Sequence, residues 1–175
     1  MRALNRKLAA RVALPPGPAE TADLFREMER ILSAEEFRGR PVQIIEAAFP
    51  AGVASGVWLD MTDRDLIVVE RNTAPQHKLH ILGHELGHMF FAPCQDHSDP
   101  AAIAAAQVIG GGTDVDEAVR SAAARTGFDE LAEQRAEHFG ALFGRQFHRF
   151  VEADPHRAPA EGLAGRIDAA FRGKN

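Results

Sequence analysis

The sequence predicts a single α+β domain in which a small three-stranded antiparallel sheet packs on helices. Three observations lead there. One apolar helical stripe opens the chain, three β-branched runs follow it, and only helical patterns come after them. Strands segregated from helices in this way indicate an α+β layering rather than alternating βαβ units. At 175 residues the chain suits about one domain. No repeat and no second core is visible.

The elements follow in order. Met1 to Val12 carries Arg2, Arg6, Lys7 and Arg11, and Pro15-Pro16-Gly17-Pro18 comes next, so residues 1–18 read as a basic arm with a rigid elbow. Its plain reading is a solvated terminus; its sharper reading is a contact to an acidic partner or to DNA. Residues 19–175 form the domain proper. Leu24, Phe25, Met28, Ile31 and Leu32 recur at helical spacing between Glu20 and Phe37, and Gly39 and Pro41 stop that helix. Strands are expected at 42–46, 57–61 and 66–70, and the polar link Thr62-Asp63-Arg64-Asp65 makes the last two a hairpin. Thr73 can cap the next helix and Pro75 suits its first turn, with Leu79, Leu82, Leu86, Met89 and Phe90 on its apolar side and Pro93 beyond it. Residues 95–127 read as a flexible insertion, because Gly110-Gly111-Gly112 lose much backbone entropy on ordering. A short helix at 114–126, a long one at 128–151 and a small terminal one around Leu163 to Phe171 complete the chain.

Composition excludes several classes. Apolar residues make up 45% and charged residues 26%, which excludes a disordered chain. No apolar run reaches the roughly 20 residues of a membrane-spanning helix. The net charge of −5 argues against a nucleic-acid binder held by its overall field. Cys94 is the lone cysteine and reads as an inert thiol; with no secretory signal visible, a cytoplasmic protein is expected.

The chemical centre is His84-Glu85-Leu86-Gly87-His88. His84 and His88 stand one turn apart on one helix face, so both imidazoles can converge on one zinc ion. Glu85, beside the first ligand, can take a proton from a water in an open coordination position. Chance gives roughly 0.03 such motifs in a chain of this composition. A third ligand must come from elsewhere, and Asp96, His97, Asp114, Asp116, Glu117, Glu133, Glu137 and His138 are available. Glu133 is chosen because it shares a stripe with Ala136, Gly140 and Phe143, where a buried carboxylate needs a metal or a partner. Ala136, Gly140 and Gly144 form a small-residue face that can lie against Gly83 and Gly87. The chain has no tyrosine, so a histidine (His77, His80, His97 or His138) or an arginine would have to stabilise an oxyanion.

Gly56-Val57-Trp58-Leu59, the run Asp65 to Asn72, His84 to His88 and the segment Glu133 to Gly140 resemble the ImmA/IrrE family of zinc metallo-endopeptidases, in particular its short, stand-alone, ParH-like members. The last segment resembles that family's Glu-x-x-Ala-x-x-Phe pattern. The resemblance implies a zincin-like fold, Zn2+ held by His84, His88 and Glu133, and Glu85 as catalytic base. It also implies a protein or peptide substrate such as a repressor, encoded nearby. No helix-turn-helix segment lies beside the motif, so direct nucleic-acid binding is not expected. The expected function is zinc-dependent hydrolysis of a specific regulatory protein. The alternative is a non-hydrolytic, zinc-stabilised regulatory or toxin–antitoxin-type module that binds a transcription factor or other partner, and a weaker third reading is a hydrolase of a small amide.

Overall fold

A computed structural model describes residues 1–14, 19–49, 55–61, 63–91 and 130–151. The expected insertion at 95–127, the helices at 114–126 and around 163–171, Cys94, and the candidates Asp96, His97, Asp114, Asp116 and Glu117 lie outside these residues.

Within them the order is α1 (Arg2–Ala9), α2 (Thr21–Leu32), β1 (Val42–Ala47), β2 (Gly56–Asp60), β3 (Asp65–Glu70), α3 (Pro75–Phe91) and α4 (Glu130–Phe147), which ends in a 3-10 turn, His148–Phe150. The architecture is α+β, with a three-stranded sheet against helices. No helix among the described residues is long and apolar enough to cross a membrane.

The sheet order is β1-β3-β2. β2 and β3 form the expected antiparallel hairpin, with Trp58 opposite Ile67. β1, however, pairs parallel with β3, Ile44 opposite Ile67. The sheet is therefore mixed, not antiparallel throughout. The physical reason lies in β3, where Leu66, Ile67, Val68 and Val69 are all fully buried. A strand covered on both faces reads as a continuous apolar run and takes the centre of the sheet. Successive side chains alternate between the faces. Trp58, Ile67 and Val69 join the main core under the helices, while Val57, Leu59, Leu66 and Val68 join a smaller cluster on the other face.

The segment read as a basic arm is helix α1 from Arg2 to Ala9. Its Leu8 is fully buried in the main core, and the buried Asn5 donates from Nδ2 to the Leu142 carbonyl at 3.0 Å. α2 buries the expected stripe of Leu24, Phe25, Met28, Ile31 and Leu32. It stops at Leu32, short of Phe37, and Gly39 beyond it takes a positive φ of 65°. That left-handed backbone suits glycine and turns the chain toward β1.

α3 begins as the sequence suggests, with Pro75 at its first position, but its first carbonyl acceptor is Ala74 rather than Thr73. It is buried over more than one stripe, Ile81, Gly83, Glu85, Gly87 and His88 included. The cause is its position between β2 and β3 on one side and α4 on the other, where its contacts are most extensive. α4 carries a ladder of fully buried rings, Phe139, Phe143 and Phe147, with centroids 6.4 and 4.3 Å apart. Rings at such spacing add to their area burial by packing at offset or tilted angles. Leu131, near the start of this helix, is 55% exposed.

Candidate metal centre

The seam between α3 and α4 sets the geometry of the site. A Cβ on Gly83 would lie 2.5 Å from Phe143 Cβ, and one on Gly87 would lie 2.6 Å from Ala136 Cα. Gly140 faces the α3 backbone in the same way, 2.9 Å from the His80 carbonyl oxygen. Real Cβ atoms do not tolerate these distances, so the small residues are what lets the two backbones touch. The expected small-residue face is present, although a Cβ on Gly144 would meet only ordinary contacts at 3.9 Å.

Close backbones bring the polar side chains together. His84 Nε2 lies 3.0 Å from His88 Nε2. Glu133 places one oxygen 3.5 Å from His84 Nε2 and the other 3.5 Å from His88 Nε2. These three side chains are a group able to hold a metal ion. Donors at about 2.0–2.1 Å from one tetrahedral zinc stand roughly 3.3–3.4 Å from each other. The observed separations bracket that value, so the donor set and its spacing fit such an ion.

The sequence argument for Glu133 is corrected on one point. Its side chain is 47% exposed rather than buried. The carboxylate thus meets both histidines while remaining about half in solvent. Glu137, one turn on, lies 3.6 Å from His84 Nδ1 and 3.3 Å from His80 Nε2. It therefore faces the ring nitrogen that points away from the donor group. Metal-binding histidines commonly give their second N–H to such a carboxylate, which fixes tautomer and ring orientation. His77 stacks on His80 with centroids 6.0 Å apart, so this pair flanks the group. His138 is exposed on α4 and is not brought into the group.

Glu85 is 5% exposed and accepts a hydrogen bond from the Trp58 backbone N–H of β2. Burial pushes its carboxyl up to about 8; the Trp58 bond opposes the rise, and the charge of Glu133 adds to it. Gly56 makes room for this side chain, since a Cβ there would stand 2.7 Å from Glu85 Oε1. Burial also pushes His88 down to about 4, with His84 contributing, so its imidazole stays neutral, the form that binds a metal.

The strand that holds Glu85 is itself held by a charge network not foreseen from the sequence. The fully buried Asp65 accepts hydrogen bonds from Arg38 Nε at 2.8 Å, Arg40 Nε at 2.9 Å and Trp58 Nε1 at 2.9 Å. Arg40 also pairs with Asp60. Burial by itself would raise the Asp65 carboxyl, but Arg40, Arg38 and Trp58 together hold it below the usual range. The available signal was an aspartate adjoining the β3 apolar run with two arginines upstream.

Comparison with protein families, with curated proteins and with solved structures finds no match to this chain.

Proposed function

We propose that the protein is a zinc-dependent endopeptidase of the ImmA/IrrE type, with a zincin-like domain that holds Zn2+ on His84, His88 and Glu133. The observation that carries this reading is the mutual spacing of 3.0, 3.5 and 3.5 Å between donors from two packed helices. Supporting it is Glu85, adjacent in sequence to a donor histidine and near enough to Glu133 to feel its charge. A purely structural site needs no such carboxylate. Zinc held by His84, His88 and Glu133 would supply Lewis-acid chemistry, lowering the pKa of a water toward about 7 and polarising a carbonyl. Glu137 keeps the His84 proton on Nδ1 and leaves Nε2 free to bind. The Trp58 N–H orients the Glu85 carboxylate, and a neighbouring dication favours its charged form. Glu85 would accept a proton from the attacking water as its oxygen bonds to the carbonyl carbon, and would return that proton to the amine nitrogen as the C–N bond breaks. The substrate class is protein, with a regulatory protein encoded nearby as the proposed target in the cytoplasm.

The burial of Glu85 favours a second reading, a zinc-stabilised module that binds its partner without cleaving it. Glu85→Gln separates the two. Under the peptidase reading the variant keeps one zinc per chain and binds the partner, while cleavage falls by about 10²–10⁴-fold. A variant with full biological activity would eliminate that reading.

A further inference from the structure

A second polar site lies at the other end of α4. α1 and α4 border an open surface cavity of about 270 Å³ lined by Arg2, Asn5, Arg6, Leu142, Arg145 and Gln146. Three of these six residues are arginines. Among the described residues none of the three guanidinium groups meets a carboxylate. Arg11, Arg26, Arg30, Arg38, Arg40 and Arg64, by contrast, each engage one. Nor does the overall charge account for it, because the chain is acidic at −5.

The arrangement is locally unfavourable. Arg2 stands at the first position of α1, a helix with no acidic residue in its first turn and no side-chain cap. A cation at that end opposes the helix dipole. Arg2 and Arg6 are one turn apart, where like charges repel. Arg145 adds a third charge from a different helix, and the Asn5–Leu142 hydrogen bond pins the two helices together. A rule broken this way on rigid elements marks a place where something else supplies the compensation.

We propose that this cavity binds the phosphate group of a small phosphomonoester. Guanidinium forks match phosphate oxygens in bidentate pairs. Three of them suit the three terminal oxygens and double charge of a monoester better than the two oxygens of a carboxylate. The cavity volume of about 270 Å³ accommodates one such group with a small body. The site uses none of the residues of the metal centre, so it stands or falls independently of the peptidase reading.

Calorimetric titration of the full-length protein tests it, with inorganic phosphate, a nucleoside monophosphate and acetate as probes at matched ionic strength. Both phosphates bind with one site per chain, acetate binds at least tenfold more weakly, and the melting temperature rises with phosphate but not with chloride. Arg6→Gln and Arg145→Gln each weaken phosphate binding about tenfold or more. Both residues are exposed, so circular dichroism and zinc content stay at wild-type values. Equal response to phosphate and chloride, or unchanged binding in both variants, overturns the proposal. Tighter binding of an oligonucleotide without terminal phosphate than of the mononucleotide overturns it too.

Discussion

At the scale of single residues, the account rests on what burial does to His88 and Glu85. Burial holds His88 neutral and holds Glu85 toward its protonated form as long as no cation sits beside it. A carboxyl raised to about 8 in the fold stabilises the folded chain fully below its unfolded value near 4.5, and that contribution disappears as the pH climbs through about 8. His88, held down to about 4, contributes with the opposite sign up to its unfolded value near 6.5, so chelator-treated protein is expected to lose stability between about pH 6.5 and 8, while Glu85→Gln under the same treatment stays flat across that window. Urea midpoints at a series of pH values check this, and parallel curves for the two proteins would contradict it. His84, Glu85 and His88 were legible because the spacing of their motif is dictated by a single helix. Glu133 was legible through its stripe with Ala136 and Gly140, although the reason offered, burial, was mistaken. The place of Glu137 was not legible, since which carboxylate faces which ring nitrogen depends on how α3 and α4 cross.

At the scale of elements, the seam between α3 and α4 decides whether the donors meet. Gly87→Ala forces a Cβ to within 2.6 Å of the Ala136 backbone. Overpacking of this kind costs roughly 1–3 kcal/mol and pushes the helices apart. We expect a lower urea midpoint together with weakened zinc binding. Gly144→Ala is the matched control, for its Cβ meets only ordinary contacts at 3.9 Å. It is expected to be neutral or to stabilise by up to about 1 kcal/mol through helix propensity. Destabilisation by both variants alike would show that the seam is not special. The glycines were readable in the sequence because glycine inside a helix has a cost that needs a reason. The sheet was read less completely. Its three strands were placed within a residue or so, but pairing was inferred from adjacency in the chain, which suits β2 and β3 and fails for β1. The unbroken run Leu66-Ile67-Val68-Val69 carried the information that β3 is central.

The Asp65 network links that sheet to the site. Its carboxylate lies below the usual range, so the stability it contributes is complete above the unfolded value near 3.8 and is lost as acid titrates it. Removing one partner from a buried charge cluster leaves the others unpaired, at a cost of about 3–5 kcal/mol. Asp65→Ala should show that loss at pH 7, and its stability should fall less steeply in acid than that of the wild type. An equal acid slope in both would remove Asp65 from this role.

At the scale of the whole molecule, the fold brings a carboxylate from a late helix to two imidazoles on an earlier one, with Glu85 held against the hairpin. The α+β class and the order of the described elements from α2 to α4 followed from periodicity, because one core organises them. The docking of α1 did not, since a basic segment of eight residues gives little apolar signal until Leu8 and Asn5 find their partners on α4. The central claim is that three side chains bind one zinc. Elemental analysis of the purified protein beside Glu133→Ala and His138→Ala tests it most directly. The account predicts one zinc per chain in the wild type and in His138→Ala, and a loss of at least tenfold in affinity in Glu133→Ala. Full zinc occupancy in Glu133→Ala, or none in the wild type after loading with zinc, would contradict it.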